Sequence, residues 1–539
     1  MSAASDPILH VENLSVSFAT RRGEHVAVHN LSFTLRRGKV VALVGESGSG
    51  KSVTARSIIG LAGAGARVSA RRLSLGDEDL RHLSERQWRS IRGSRIGMVL
   101  QDALVALDPL RPVGSEIAES LFAHHRGTSK ERAQKVCDLL EQVGIRDPDL
   151  RARQRPDELS GGLRQRALIA SAIAMSPPFL IADEPTTALD PTVQAQILDL
   201  FNTLREDGTG LLLISHDLGF VAKLADEIIV LEHGKVVEQG AAEQILTAPT
   251  HPYTITLLEA DPSRHPARPA TTVPVGAPLL QAENLSFVRK GPDGVVRPII
   301  DDVNITLWPG RTLGLIGESG SGKTTTSRII AGLLQPDTGT VTFRGEPWVA
   351  AGLQERTRRA RRRFMALIYQ DPLSSFDPRW TVFDILSDAL LVTGVPVTNH
   401  KLRITELLER VRLPPGIAGH RPAGMSGGQR QRVAIARAVA VKPDLLICDE
   451  PVSALDVSVQ DQVLTLLEEL QDDLGLSCLF ISHDMGVIRR MCDDVMVMQN
   501  GQIVEAGLAT DVLLRPRHSF TRSLLAAATK LSASLPAAV

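Results

Sequence analysis

Gly45-Glu46-Ser47-Gly48-Ser49-Gly50-Lys51-Ser52 follows the apolar run Val40, Val41, Leu43, Val44, and Gly317-Glu318-Ser319-Gly320-Ser321-Gly322-Lys323-Thr324 follows Leu313, Leu315, Ile316. Each stretch opens a helix-like segment. The glycines admit a tight loop whose backbone N–H groups wrap phosphate, the lysine reaches the outer phosphates, and Ser52 or Thr324 is placed to hold Mg²⁺. A helix N-terminus behind the loop favours the same negative charge. One such turn can arise by chance, but the preceding strands and the recurrence argue against it. The chain therefore reads as a doubled nucleotide site.

At 539 residues the chain is too long for one compact core, and ordinary domain sizes suggest about three or four units. The repeat reduces that to two. Sixty lysines and arginines face 61 acids, a net charge of -1, which gives no global pull toward nucleic acid or an anionic membrane. Cys137, Cys448, Cys478 and Cys492 form no CxxC pair or cluster, a pattern that suits reduced, buried thiols in a cytosolic protein rather than a disulfide framework or zinc site. The N-terminus lacks a basic region followed by an apolar core, and no stretch reaches the roughly 18 apolar residues of a spanning helix. By itself this chain is not expected to form a membrane channel.

The halves repeat motif by motif at a nearly constant spacing: Lys51 with Lys323, Gln101 with Gln370, Ser160 with Ser426, His216 with His483. An entire domain is duplicated. Between the copies, Pro262, Pro266, Pro269, Pro274 and Pro278 stand among small and polar residues, the composition of an extended, semi-rigid connection. The expected boundaries are a first domain with C-terminal extension at 1–262, a linker at 263–278 and a second such domain at 279–539. Short apolar strands alternate with helical stretches in both halves, which predicts an α/β core with a largely parallel sheet. A mainly helical insert is expected after Gln101 and Gln370.

Far downstream of each loop, an apolar run ends in two acids: Phe179-Leu180-Ile181-Ala182-Asp183-Glu184 and Leu445-Leu446-Ile447-Cys448-Asp449-Glu450. These resemble Walker B strands, which would make Asp183 and Asp449 Mg²⁺ positioners and Glu184 and Glu450 the groups that polarise the attacking water. Just before them stand Leu159-Ser160-Gly161-Gly162-Leu163-Arg164-Gln165-Arg166 and Met425-Ser426-Gly427-Gly428-Gln429-Arg430-Gln431-Arg432. They resemble the signature of ABC-type ATPases, in which serine caps a helix, paired glycines admit close backbone approach and the helix N-terminus faces phosphate. Ile169 with Ile173, and Ile435 with Val439, supply apolar i,i+4 pairs on the helices behind.

The resemblance extends over nearly the whole chain. It implies two P-loop nucleotide-binding domains of ABC type, each with a helical subdomain, arranged head to tail. Gln101 and Gln370 then match Q-loop residues, with a catalytic and a metal-facing role, Ala188-Leu189-Asp190 and Ala454-Leu455-Asp456 match D-loops, and His216 and His483 match switch histidines at strand ends. Phe18 and Phe287 stand where the family stacks an aromatic ring on adenine, and each also fits as a core phenylalanine of its strand. In the family each P-loop meets the signature of the opposite domain, enclosing two ATP molecules. One site would pair Lys51 and Glu184 with Ser426, Gly427, Gly428 and Gln429. The other would pair Lys323 and Glu450 with Ser160, Gly161 and Gly162. Leu163 departs from the usual glutamine or glutamate, which predicts a modestly slower second site.

Without membrane spans, the chain resembles the energising unit of a transporter, held at the cytoplasmic face of the membrane by two permease subunits and served by an extracytoplasmic binding protein. Gln370-Asp371-Pro372-Leu373-Ser374-Ser375-Phe376-Asp377-Pro378 is similar to the Q-loop region of peptide and nickel importer ATPases; Gln101-Asp102-Ala103-Leu104 lacks the first proline. His251-Pro252-Tyr253-Thr254 with Leu257-Leu258, and more weakly Arg517-His518-Ser519-Phe520-Thr521 with Leu524-Leu525, look like the C-terminal extensions of oligopeptide and dipeptide importer ATPases. No cysteine lies between Cys137 and Cys448, so the iron–sulfur cluster of some such subunits is not expected. Two alternatives stand beside this reading. A fused sugar-importer ATPase usually loses consensus in one half and does not explain His251 to Thr254. A soluble ABC protein acting on ribosomes or nucleic acid could use the basic run from Arg356 to Arg363, but that run reads first as a solvated face.

Overall fold

The computed structural model describes residues 7–20, 23–101, 103–187, 189–269, 276–290 and 296–532. Asp102, Ala188 and the linker residue Pro274 lie outside the described residues. Two compact units divide the chain, one built on Met1–Asp261 and the other on Pro262–Leu455 and Val459–Ala528.

In the first unit, parallel strands lie in the order Glu227–Glu232, Val40–Val44, Gly210–Ile214, Phe179–Asp183, Ile96–Val99, and Lys235–Ala241 pairs antiparallel with Glu227–Glu232 and joins Gly23–Arg36 through Lys235 and His29. The inner strands Val40–Val44, Phe179–Asp183 and Gly210–Ile214 are buried at every position, as expected where helices cover both faces of a parallel sheet. The second unit repeats the order: Asp494–Gln499, Thr312–Ile316, Ser477–Ile481, Leu445–Asp449, Met365–Ile368, with Gln502–Leu508 at the edge. This order places one strand between the phosphate-loop strand and the acidic strand. That intervening strand ends just before the histidine.

Beside each parallel sheet lies an antiparallel layer that hydrophobic periodicity did not announce. In the first unit the long strand Pro7–Thr20 pairs with Gly23–Arg36 on one side and with the short strands Ala66–Ser69 and Arg72–Leu75 on the other. A second hydrophobic cluster fills the space between this layer and the parallel sheet. The counterpart pairs Leu280–Lys290 with Val296–Leu307 and Thr338–Phe343. The helical inserts follow the glutamines as expected, with Val113–Ala123, Ser129–Gln142 and Pro148–Arg153 in one unit and Val382–Val392 and His400–Arg410 in the other.

The proline-rich connection is more structured than an extended spacer over its first residues. Pro262–Arg264 forms a 3₁₀ turn, and Arg268 is pinned to the second unit: Nη1 donates to Gln471 Oε1 at 3.0 Å and to the Met491 carbonyl at 3.1 Å, while Nε lies 3.3 Å from Asp493. Prolines restrict the path, and Arg268 anchors it together with Arg489, whose guanidinium donates to the carbonyls of Ser263 and His265.

Most of the basic run is a solvated face, with Arg356, Arg359, Arg362 and Arg363 exposed, but two of its arginines turn back onto the fold. Arg358 donates to the carbonyls of Trp348 at 3.1 Å and Gly332 at 3.0 Å, and Arg361 to that of Pro347 at 3.0 Å. The Arg362 guanidinium pairs with Glu355 at 2.7 Å. These side chains tie a short helix, Glu355–Arg358, and the 3₁₀ turn Arg359–Phe364 to the antiparallel layer. All four thiols are free, and Cys448, Cys478 and Cys492 are buried.

Candidate functional site

The loop between Val44 and the helix Lys51–Ile58 takes its shape from glycines in left-handed backbone conformations. Gly45 has φ 143°, and a Cβ there would stand 2.2 Å from the Leu231 carbonyl oxygen; at Gly317, φ 154°, it would stand 2.2 Å from that of Met498. No side chain can be added without moving the adjoining strand. Lys51 Nζ donates to the carbonyls of Gly45 at 2.6 Å and Glu46 at 2.8 Å, folding the lysine over its own loop. Lys323 does the same toward Gly317 at 2.8 Å and Glu318 at 2.7 Å. Burial lowers the Lys51 ammonium below its ordinary value against the pull of Glu184 and Asp183. Ser49 Oγ and Ser321 Oγ are buried with no hydrogen-bond partner among the described residues. A loop with a folded-over cation and an orphaned hydroxyl fits an anion with several acceptor oxygens.

The acidic strand delivers its carboxylates to this loop. Ser52 Oγ donates to Asp183 Oδ1 at 2.9 Å, and Thr324 Oγ1 to Asp449 Oδ1 at 3.2 Å. Asp183 Oδ2 is buried without a hydrogen-bond partner among the described residues. Burial pushes both aspartates up, Asp449 to about 6 with added repulsion from Glu450. Buried carboxylates beside a hydroxyl, one with an orphaned oxygen, fit a hard dication that takes oxygen ligands.

One residue on, Glu184 has φ 48° and Glu450 φ 49°, left-handed values that cost a non-glycine residue energy and cluster at working sites. Their amides donate to Ile214 O at 2.8 Å and Ile481 O at 3.0 Å, so the middle strand holds the turned backbone. Gln101 Nε2 donates to Glu184 Oε2 at 2.7 Å, and Gln370 Nε2 to Glu450 Oε2 at 2.8 Å. His216 Nδ1 lies 3.4 Å from Glu184 Oε1, and His483 Nδ1 3.3 Å from Glu450 Oε1. Burial acts to raise each glutamate, yet the histidine beside it brings the carboxyl below its ordinary value. Burial acts to lower each imidazole, and the glutamate's hydrogen bond and charge bring it above.

Lys51, Ser52, Asp183, Glu184, Gln101 and His216 thus form one linked cluster, and Lys323, Thr324, Asp449, Glu450, Gln370 and His483 its copy. Thr187 was not foreseen as part of it: its Oγ1 donates to Glu184 Oε2 at 3.0 Å. The only available signal was its place three residues after the glutamate. Phe18 and Phe287 are half-buried and pack against the clusters of the antiparallel layers.

The signature serines cap their helices, Ser160 Oγ accepting from Leu163 N at 3.4 Å and Ser426 Oγ from Gln429 N at 3.3 Å. Gln429 returns a bond by accepting from Ser426 N at 3.1 Å. Leu163 cannot, and packs against the core instead. Gly161 has nothing within 4 Å of a Cβ position, whereas Gly162 faces Val193 at 3.0 Å. The paired glycines therefore differ: the second makes room for a helix of its own unit, and the first is open. Ile169, Ile173, Ile435 and Val439 are all buried as their spacing predicts.

A parallel sheet with a glycine-rich loop ahead of a helix, an acidic strand end and a histidine from the strand between defines a P-loop nucleoside triphosphatase, present in duplicate. The ABC transporter family profile matches residues 28–187 and 300–453. The chain belongs to the ABC transporter family, and is an ATP-binding ATPase. Residues 237–284 match the oligopeptide/dipeptide transporter C-terminal region. Among curated relatives, the peptidoglycan transport ATP-binding protein YejF of Agrobacterium fabrum is 42% identical over 465 residues, covering 85% of this chain and 84% of the relative. The glutathione import ATP-binding protein GsiA of Escherichia coli K12 is 42% identical over 480 residues, covering 83% and 77%. The archaeal ribosome recycling factor aABCE1, solved in complex with the ribosomal stalk protein aP1, shares the fold at a TM-score of 0.60 and 20% identity, over 91% of this chain and 90% of that one.

Proposed function

We propose that this chain is the ATP-hydrolysing subunit of an importer for di- or oligopeptides, working at the cytoplasmic face of a membrane with two permease subunits and an extracytoplasmic binding protein. The match of residues 237–284 to the oligopeptide/dipeptide C-terminal region carries this reading. Two relatives named for glutathione import and peptidoglycan transport support it. No helix among the described residues is long and apolar enough to cross a membrane, so the pathway for the peptide belongs to other subunits.

In this reading the loops Gly45–Ser52 and Gly317–Thr324 hold the ATP phosphates. Asp183 and Asp449, with Ser52, Thr324, Gln101 and Gln370, hold Mg²⁺, which when bound neutralises charge on the phosphate oxygens. Glu184 and Glu450 accept the proton of the attacking water. His216 and His483 orient those carboxylates through the contacts at 3.4 and 3.3 Å. Ser160, Gly161 and Gly162, and Ser426, Gly427, Gly428 and Gln429, present capped helix N-termini suited to phosphate.

Reconstitution with the native permease in proteoliposomes tests the substrate class. ATP-dependent uptake of a labelled tripeptide, stimulated by the loaded binding protein, is the expected result. Uptake of a sugar with no response to peptide would replace this reading by the sugar-importer one.

A further inference from the structure

The C-terminal extension of the first unit reaches into its phosphate loop through one hydroxyl. Tyr253 Oη accepts a hydrogen bond from the Glu46 amide at 3.0 Å. Glu46 is also the residue whose carbonyl receives Lys51 Nζ at 2.8 Å. The extension therefore holds one end of the peptide segment on which the loop lysine rests.

Tyr253 is itself firmly placed. Glu238, on the strand Lys235–Ala241, accepts from Thr250 N at 2.7 Å, Thr250 Oγ1 at 2.8 Å and His251 N at 3.2 Å. His251 Nδ1 accepts from Tyr253 N at 3.2 Å and caps the helix Pro252–Glu259. Leu257 and Leu258 anchor that helix in the core, and the Tyr253 ring packs against the same cluster. Its position rests on the extension, so it does not depend on nucleotide to be present.

The second unit repeats the backbone of this scaffold, with Arg517 in place of Thr250, Ser519 in place of Pro252 and Phe520 in place of Tyr253. Glu505 accepts from Arg517 N at 2.7 Å and His518 N at 3.0 Å, and His518 Nδ1 accepts from Phe520 N at 3.2 Å. Phe520 packs against its core as Tyr253 does. It has no hydroxyl to offer the Glu318 amide.

We propose that Tyr253 is a positioning residue for ATP at the first phosphate loop, acting through the Glu46 peptide on Lys51, and that Phe520 leaves the second loop without this support. The inference rests on the reading that Gly45–Ser52 holds ATP. A loop held in place before the ligand arrives has less ordering left to complete on binding, so the first site binds ATP more tightly than an otherwise equal loop. The loss of one neutral hydrogen bond corresponds to a change of about three- to tenfold.

The test is photolabelling of the full chain with an azido-ATP analogue over a concentration series, with label assigned to each half by mass spectrometry, beside melting curves. Tyr253→Phe is expected to raise half-saturation of the first half about three- to tenfold, with second-half labelling, saturated hydrolysis rate and melting temperature essentially unchanged. Phe520→Tyr is expected to shift the second half in the opposite direction. An unshifted first half in Tyr253→Phe, equal shifts in both halves, or a shift seen only with a lowered melting temperature overturns the inference. A parental chain with no label on its first half overturns the site reading beneath it.

Discussion

Gln101 Nε2 donates to Glu184 Oε2 at 2.7 Å, joining a residue at the end of one parallel strand to a strained residue at the end of the next. The same oxygen accepts from Thr187 Oγ1 at 3.0 Å, while Oε1 faces His216. The carboxylate of Glu184 is therefore held from both oxygens. In the proposed mechanism an attacking water would compete with Gln101 and Thr187 for the lone pairs of Oε2.

Glu184→Gln and Glu450→Gln, made together, should leave ATP binding close to parental and lower hydrolysis by about 10²- to 10⁴-fold, the usual contribution of a positioned base. The amide preserves size and hydrogen bonding but is a poor proton acceptor. Equilibrium nucleotide binding and single-turnover hydrolysis on the permease-bound complex measure the two effects separately. Parental hydrolysis in the double variant would reject both glutamates as bases.

The His216–Glu184 pair should stabilise the first unit only within a pH window. His216 is raised, so its contribution is full below the ordinary imidazole value and is lost as pH rises through the folded value. Glu184 is lowered, so its contribution is present above the ordinary carboxylate value and is lost as pH falls through the folded value. The window is centred between about pH 4.5 and about pH 6.5. His216→Gln should cost about 1 kcal/mol at pH 6 and much less at pH 9. Urea denaturation at the two pH values checks the difference, and an equal cost at both would remove the ion pair from the account.

Gly45→Ala and Gly48→Ala separate loop sterics from loop conformation. A Cβ at Gly45 meets the Leu231 carbonyl at 2.2 Å, whereas at Gly48, φ 80°, it meets nothing within 4 Å. Gly45→Ala should destabilise by more than about 3 kcal/mol and abolish nucleotide binding, and Gly48→Ala by only about 1 kcal/mol. Chemical denaturation ranks them, and the reverse ranking would show that the strand yields where the loop does not.

Removing the Arg268 anchor should destabilise the second unit through the carboxylate it leaves behind. Asp493 is almost fully buried, with the guanidinium at 3.3 Å and the Thr312 amide at 2.8 Å as neighbours. Arg268→Ala is expected to cost about 1 to 3 kcal/mol, because a buried carboxylate loses one of its charged partners. Arg268→Ala/Asp493→Asn should recover part of it. Denaturation followed by proteolysis of each half locates the loss, and a loss confined to the first unit would contradict the anchor.

Local chemistry made the glycine-rich loops, the acidic strand ends, the Ser-Gly-Gly helix caps and the strand-end histidines legible, because each needs particular residue types at short spacings, and the duplication made chance agreement improbable. The buried i,i+4 pairs of the signature helices were readable for the same reason. The antiparallel layers were not, since their long strands carry bulges and irregular alternation, and pairing partners lie far apart in sequence. Tertiary structure alone turned Arg358 inward from an apparently solvated run, sent Leu163 to the core, and brought Arg268 onto the second unit. It also set Tyr253 against Glu46, 207 positions away in the chain. A motif records which groups are available, but a hydrogen bond between distant segments depends on strand order and on where each strand ends, and these are decided only when the whole sheet packs.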